Sequence, residues 1–426
     1  MDISSYFNHP FDIVMLPIQA IIVLFTIYYF VIGFFGLWRF KEEKIKEVSK
    51  KLAVIVAAHN ESAVIGQLVK NLTELKYPKE MYDVYVIADN CTDNTAEVAG
   101  KAGAIVCERF DDTKKSKGYA LEWMFDRLFE MEDKPDGKKY DAVVIFDADN
   151  LVHPNFLMEM NHHLCKGRKI IQGYLDAKNP YDTWVAGTFA IAFWVIDHIY
   201  HLAKTNLGLS AVLGGTGMCI TMDVIRTQGW RATCLVEDME FTMKALACGI
   251  KNTWAHDAIV YDEKPLTFMQ SWRQRKRWAQ GQVDVAHRMI PTLIKEGIRQ
   301  HKPYIWDGCI HLLQPHFMMV STFFVIISYI QLGMEEPFYT NIYTILPSTM
   351  MTFIMLGQYV LPMIILAKIK AKPKAWLYLL LYPVFIYSWI PIIFLGFIHR
   401  NDTEWSHTKH TRAMTYEQLM GEKNKH

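Results

Sequence analysis

The chain has 426 residues, of which 51% are hydrophobic and 13% aromatic, with a formal net charge of +1. That length exceeds one ordinary soluble domain, and the balanced charge excludes the basic stripe expected of a nucleic-acid binder. The seven cysteines show no C-x-x-C or zinc spacing, and read as reduced, buried thiols of a cytosolic domain rather than a disulfide framework.

Apolar residues gather at the two ends of the chain. Residues 13–38 carry no charge, a run longer than the roughly 20 residues needed to cross a bilayer. There is no basic start or small-residue cleavage site of a signal peptide, so a retained transmembrane helix is predicted within residues 1–40. Arg39, Lys41, Lys44, Lys46, Lys50 and Lys51 follow it, which places the next domain in the cytoplasm by the positive-inside rule.

Residues 52–58 form a buried-strand pattern that runs into His59-Asn60-Glu61-Ser62 and a helix. Residues 85–88 repeat the pattern and end at Asp89, before a helix near 95–102. A third strand at 104–107 leads through a charged loop with Lys117-Gly118 into a helix at 119–129. The fourth strand, 142–146, is wholly apolar and ends in Asp147-Ala148-Asp149. Strands alternating with helices predict an α/β fold with a doubly wound, mostly parallel sheet. Ligands of such sheets bind beyond the carboxyl ends of the strands, where two carboxylates suit Mg2+ or Mn2+ shared with substrate phosphates. A solvated Asp-Asn turn is the competing account of the same residues.

Farther on, residues 182–203 are apolar but include Asp197, His198 and His201, which predicts a buried or interfacial helix rather than a span. Gly214-Gly215-Thr216-Gly217 either lets backbone approach a ligand or forms a tight turn. Glu237 and Asp238 precede a helix at 241–248, where acids suit the dipole. Trp272-Arg273-Gln274-Arg275-Lys276-Arg277-Trp278 sets four cations beside two tryptophans, a pairing suited to a diphosphate held against a sugar or lipid headgroup.

Three apolar segments follow within 304–398, at about 304–333, 342–367 and 375–398, with a basic loop at 368–374. Four simple spans would strand the basic tail, 399–426, outside the cell. Pro383 and Pro391 offer breaks that turn the last segment into a re-entrant or interfacial pair and keep the tail inside.

His59-Asn60-Glu61, Asp89, Lys117-Gly118, Asp147-x-Asp149, Glu237-Asp238 and Gln274-x-x-Arg277-Trp278 occur in one order between flanking membrane segments. As an ordered set they resemble the membrane-integrated family 2 glycosyltransferases, which include cellulose, hyaluronan and poly-N-acetylglucosamine synthases. The resemblance covers residues 50–285 and implies a GT-A-like cytoplasmic domain, with interfacial helices near 182–203 and 266–300. It implies a polysaccharide synthase, with inverting transfer from a UDP-sugar with Mg2+ or Mn2+ onto a growing polysaccharide chain, the acceptor partner being a polysaccharide or glycolipid and accessory membrane subunits being further partners. Carried over by motif, Glu61 and Asp89 contact the nucleoside, Lys117 the diphosphate or base, and Asp147 and Asp149 the metal. Asp238 is the general base, and Gln274, Arg277 and Trp278 close over the diphosphate and place the acceptor. With an ordinary pKa of about 3.9, Asp238 is expected to be ionised at neutral pH without tuning. Two departures stand out: Val236 takes the place of a commoner Thr, and the Gly214–Gly217 stretch fits the acceptor segment loosely. A single-addition enzyme acting on a polyprenyl phosphate or diacylglycerol, and a non-catalytic sugar-nucleotide sensor, are the alternatives.

Overall fold

The computed structural model describes residues 8–40, 42–231, 234–400 and 412–424. Residues 1–7, Lys41 of the basic cluster and residues 401–411 of the tail lie outside them.

The apolar runs build the centre of a sheet. β1 (Leu52–Ala58) lies between β2 (Tyr82–Asp89) and β4 (Ala142–Asp147), all parallel, and β3 (Ile105–Arg109) extends the edge beyond β2. No surface of Leu52 to Val56 or of Ala142 to Phe146 is exposed. Alternate side chains explain why. Leu52, Val54 and Phe146 pack against helices Ile65–Thr73 and Phe156–Cys165, whereas Ala53, Ile55 and Ile145 face helices Lys117–Glu132 and Glu237–Ala247. Both faces of each strand are thus covered, the condition under which parallel strands read as continuous apolar runs.

The second half of the sheet is mixed. β5 (Leu151–Val152), β6 (Ile170–Ala177), β7 (Met218–Thr221) and β8 (Asn252–Asp262) complete the order β3-β2-β1-β4-β7-β6-β8-β5. β7 runs antiparallel to β4 and β6, and β5 runs antiparallel to β8. All seven cysteines are unpaired. Only Cys219 and Cys309 are buried, so the expectation of uniformly buried thiols fails: Cys248, for example, sits exposed where its helix ends.

Among the described residues three helices are long and apolar enough to cross a membrane: Asp12–Phe35, Trp184–Asn206 and Ser348–Lys368. Two bent pairs, Pro303–Leu312 with Gln314–Gln331 and Pro373–Leu379 with Tyr382–Ile398, each turn by 50°. Most of Trp184–Asn206 is buried inside the protein, with Ile191, Trp194 and Val195 packed against Tyr174 and Trp254 of the sheet and Ile365 of the last long helix. The ends of the apolar helices are tied in register. Asp12 accepts hydrogen bonds from Thr340 N–H (2.6 Å) and hydroxyl (2.8 Å), while Lys368 donates to the Leu37 carbonyl (3.1 Å). The 332–341 connection therefore lies at the end of Asp12, and the basic 368–374 loop at the end next to the α/β domain. Segment 373–398 begins and ends against that domain, since Lys374 donates to the Tyr181 carbonyl (2.6 Å) and Gln280 to the His399 carbonyl (2.9 Å).

Candidate active site

A cleft of about 960 Å³ opens at the carboxyl ends of β1, β2 and β4. Glu61, Asp89, Lys117, Asp147, Asp149, Asp238, Gln274, Arg277 and Trp278 all line it. Residues spread over more than 200 positions of sequence thus share one concave surface.

Each is held by its own local chemistry. Asp89, at the end of β2, accepts a hydrogen bond from the buried Arg109 guanidinium at 2.6 Å. Burial raises its pKa despite that partner. His59 Nδ1 lies 2.7 Å from the Asp89 carbonyl, and Glu61 N–H donates to Thr95 Oγ1 at 2.9 Å, fixing the turn after β1. Lys117 begins helix Lys117–Glu132, whose Ser116 cap accepts from Tyr119 N–H at 3.3 Å. Its ammonium bonds the Asp147 carboxylate and, at 2.5 Å, the Gly215 carbonyl. Burial alone would lower the pKa of Lys117; the charges of Asp147, Glu237 and Asp238 outweigh it and raise it.

The Gly214–Gly217 stretch forms a tight bend at the wall of the cleft. Gly215 and Gly217 have φ of +80° and +62°, left-handed values that suit glycine, and a Cβ on Gly215 would sit 3.3 Å from Asp238 Oδ2. Thr216 between them is buried. Its hydroxyl accepts from Asp147 N–H at 3.1 Å and donates to the Asn150 side chain, so this turn also fastens the D-x-D.

Asp147 presents the more open carboxylate, its side chain 40% exposed. Asp149 is buried, with Oδ1 accepting from Asn150 Nδ2 and Oδ2 from Glu263 N–H, both at 3.2 Å. Among the described residues no three His, Cys, Asp or Glu form a ready-made cage for a metal. The donor set suits a hard divalent cation that takes one or two carboxylates and completes its shell with phosphate oxygens. Asp262, at the end of β8, adds a third acid to the same wall: its pKa is raised by burial, opposed by Lys264, and raised further by Asp149 and Asp147. Crowded acids of this kind are relieved by a bound cation.

Asp238 departs from the expectation of an untuned base. Burial, and next the charge of Glu237, push it up to about 7, against the Met239 N–H (2.7 Å to Oδ1), Lys117 and Arg277. A carboxylate near 7 is matched to proton transfer at neutral pH.

Helix Phe268–Gln300 starts with a capping box between Thr267 and Gln270. Gln274, Arg277 and Trp278, three and four residues apart, fall on one face and line the cleft. Arg277 donates to the Leu235 carbonyl at 3.3 Å, and Gln274 Oε1 is buried without a partner among the described residues. Trp278 meets Phe189 and Phe193 at centroid distances of 5.9 and 6.3 Å. Val236 fills the space over Gly281, where a Cβ would come within 2.5 Å of it, so this departure from Thr is a packing contact. Asn150, Lys178, Asp262 and Lys264 are site neighbours that the motif reading did not single out. Lys178 donates to the Asp149 carbonyl, and Lys264 reaches Asp262 at 2.8 Å while lying 3.3 Å over the Phe193 ring. Their one signal in sequence is Asp262-Glu263-Lys264 itself, another polar cluster closing an apolar strand.

The profile of the glycosyltransferase-like family 2 matches residues 50–281, more than half of the chain. The protein belongs to this family. Among curated relatives, it is 26% identical over 271 residues to the probable glycosyltransferase YdaM of Bacillus subtilis, covering 61% of this chain and 60% of that one. Over 250 residues it is 26% identical to the β-monoglucosyldiacylglycerol synthase of a Nostoc species, covering 55% and 50%. To the poly-β-1,6-N-acetyl-D-glucosamine synthase of Staphylococcus aureus it is 24% identical over 248 residues, covering 57% of each. The chain thus spans half to three fifths of the length of these relatives. Among solved structures, the mannosyltransferase PcManGT from Pyrobaculum calidifontis, in complex with GDP-Man and Mn2+, superposes with a TM-score of 0.55 at 16% identity, covering 91% of this chain and all of that one. The fold of this family 2 member is therefore that of the GT-A sugar transferases, with apolar helices flanking the domain.

Proposed function

We propose that this protein transfers a sugar, with inversion, from a nucleotide diphosphate sugar to a lipid-anchored hydroxyl at the membrane surface, UDP being the first candidate nucleotide. The observation that carries the reading is the convergence of Asp147, Asp149, Asp238, Gln274, Arg277 and Trp278 on one cleft. Glu61 and Asp89 hold the nucleoside, Asp89 oriented by Arg109. Asp147 and Asp149 hold Mg2+ or Mn2+, which when bound supplies positive charge to the leaving diphosphate. Arg277 and Lys117 add fixed cations beside it. Asp238 accepts the proton of the acceptor hydroxyl while the new glycosidic bond forms at the anomeric carbon and the bond to the diphosphate breaks. One displacement assisted by one base inverts that centre.

Two features support a lipid acceptor. The wall formed by Phe189, Phe193 and Trp278 continues into Tyr382, Phe385 and Trp389 of segment 373–398, an apolar route from cleft to membrane helices. The helices themselves pack through aromatic rings, Phe25 stacked on Phe317 at 3.8 Å and Phe30 edge-to-face with Phe353 at 5.4 Å, with Gly357 beneath Phe30. Such packing favours lipid around the helices over a polar conduit for a growing polysaccharide. Chain elongation is the second reading, favoured by Trp278, whose ring suits stacking on a sugar. In the arrangement we infer, Asp12–Phe35, Gln314–Gln331 and Ser348–Lys368 cross the membrane, the α/β domain is cytoplasmic, and segment 373–398 lies at its cytoplasmic surface.

The test is product analysis with the protein in lipid nanodiscs and labelled UDP-sugars or GDP-mannose. A single labelled glycolipid is expected. A high-mass ladder overturns the lipid acceptor in favour of a polysaccharide, and nucleotide binding without transfer supports a sensor.

A further inference from the structure

The last described helix, Tyr416–Asn424, folds back onto the α/β domain. Leu419 is fully buried and Met414 nearly so, in one cluster with Leu151 of β5 and Tyr261 of β8. Those two residues are direct partners across the antiparallel β5–β8 pair. Leu151 follows Asp149-Asn150, and Tyr261 precedes Asp262-Glu263-Lys264. The helix therefore rests on the two strand ends that carry the acids of the metal wall, behind the cleft.

Ionic contacts fix its orientation. Arg412 pairs with Asp182 and, at 2.8 Å, with Glu422. Lys423 pairs with Asp176 of β6 and lies 4.2 Å over the Tyr261 ring. Asp176 also accepts from Trp194 Nε1 at 2.8 Å, and Lys372 of the basic loop donates to the Glu422 carbonyl at 2.6 Å. Thr415 and Gln418 exchange hydrogen bonds of 2.8 and 3.2 Å across the first turn, so the helix is capped where it meets the sheet. β5 has two residues and stands at the sheet edge. Its ladder to β8 is two residue pairs continued by His153 N–H to the Ile259 carbonyl (3.0 Å), and Asn71 holds Val152 by bonds of 3.1 and 2.6 Å, whereas the Leu151 side chain is covered by segment 412–424.

We infer that segment 412–424 is a detachable brace that holds the β5 and β8 ends in the geometry needed to bind a nucleotide diphosphate with its divalent cation. This rests on the donor site proposed above. Arg412, Leu419 and Lys423 are positioning residues: they do not line the cleft, and act through Asp149 and Asp262.

The experiment compares the full chain in nanodiscs with a form ending at residue 411, and with Leu419→Asp, Arg412→Asp and Arg412→Asp combined with Asp182→Arg. Calorimetry with UDP and Mn2+ reads the site, and hydrogen exchange at residues 149–152 and 259–264 reads the brace without any ligand. Truncation and Leu419→Asp are expected to speed exchange there and weaken UDP binding by about tenfold or more, the loss typical of removing support behind metal ligands. A synthetic 412–424 peptide is expected to restore both in the truncated protein, and the Asp182→Arg partner to restore both in Arg412→Asp. Unchanged exchange overturns the brace. Faster exchange with unchanged UDP affinity overturns its control of the site, as does failure of both peptide and charge reversal to restore binding. If the full chain binds no nucleotide diphosphate, the donor reading falls, and the exchange result alone judges the docking.

Discussion

Replacing Glu237 by Gln tests the tuning of Asp238. Burial is the first cause that lifts Asp238 from 3.8 to about 7, and the Glu237 charge is the second. Gln keeps the burial and removes the charge, leaving Lys117 and Arg277 to pull the pKa down against burial alone. With a pKa near 7 only about a tenth of the wild-type base is ionised at pH 6; a downward shift of roughly one unit, ordinary for loss of an adjacent like charge, raises that to about half. In wild type, kcat/KM should fall about tenfold per pH unit below 7, because it reports the free enzyme. The Glu237→Gln profile should bend at lower pH and retain about five times more of its plateau value at pH 6. Initial rates from pH 5 to 9 with both substrates well below their KM measure both. Superimposable profiles, or a flat wild-type profile across this range, refute the assignment. Stability moves oppositely. A carboxyl whose folded pKa is raised favours the fold in its protonated form, so its contribution is complete below about 3.8 and is lost as pH rises through about 7. Asp238→Asn should therefore melt higher than wild type at pH 8, while slowing transfer by about 10²- to 10⁴-fold.

Three further outcomes follow from the site. Asp149→Asn should weaken UDP binding in Mn2+ by about tenfold or more and leave binding in a chelator unchanged, as measured by calorimetry. Gly215→Ala forces a left-handed residue against Asp238, and should cost about 1 kcal/mol or more of stability by chemical denaturation together with most of the turnover. Trp278→Ala should raise the acceptor KM more than the donor KM, since Trp278 stands in the aromatic wall with Phe189 and Phe193; equal effects on both would remove it from the acceptor subsite.

The first half of the sheet was legible because its strands are buried on both faces and so read as uninterrupted apolar runs, as in Ala142 to Phe146. The second half was not. β8 carries His256 and Asp257 in its interior, β5 has two residues, and β6 has a register irregularity at Gly173/Tyr174, so none shows a clean period. Motif residues could be gathered because their spacing survives in one dimension. Thr216 and Asp262 could not, because their link to Asp147 and Asp149 exists only after β7 and β8 have paired into the sheet. The pKa of Asp238 was out of reach for a related reason: burial and Glu237 set it, with Lys117 opposing from a helix that starts 121 residues earlier.

The basic run in Phe268–Gln300 shows how one helix joins the two ends of this protein. Its composition suggested four cations facing a diphosphate, yet the helical turn divides them. Arg277 faces the cleft, whereas Arg275 is fully buried on the other side, donating to the Phe385 carbonyl (3.1 Å) and Ser388 hydroxyl (2.8 Å) beneath the Phe385 ring. One turn later Ala279 packs against Gly396 of segment 373–398, and Gly281 receives Val236, the residue before Glu237 and Asp238. Segment 373–398 therefore packs against the same stretch of helix that carries Arg277, Trp278 and the seat of Val236. The proposed diphosphate contact, acceptor wall and support of the base are thus carried by one helix that also packs against segment 373–398, through the three- and four-residue spacings at which helical side chains are neighbours.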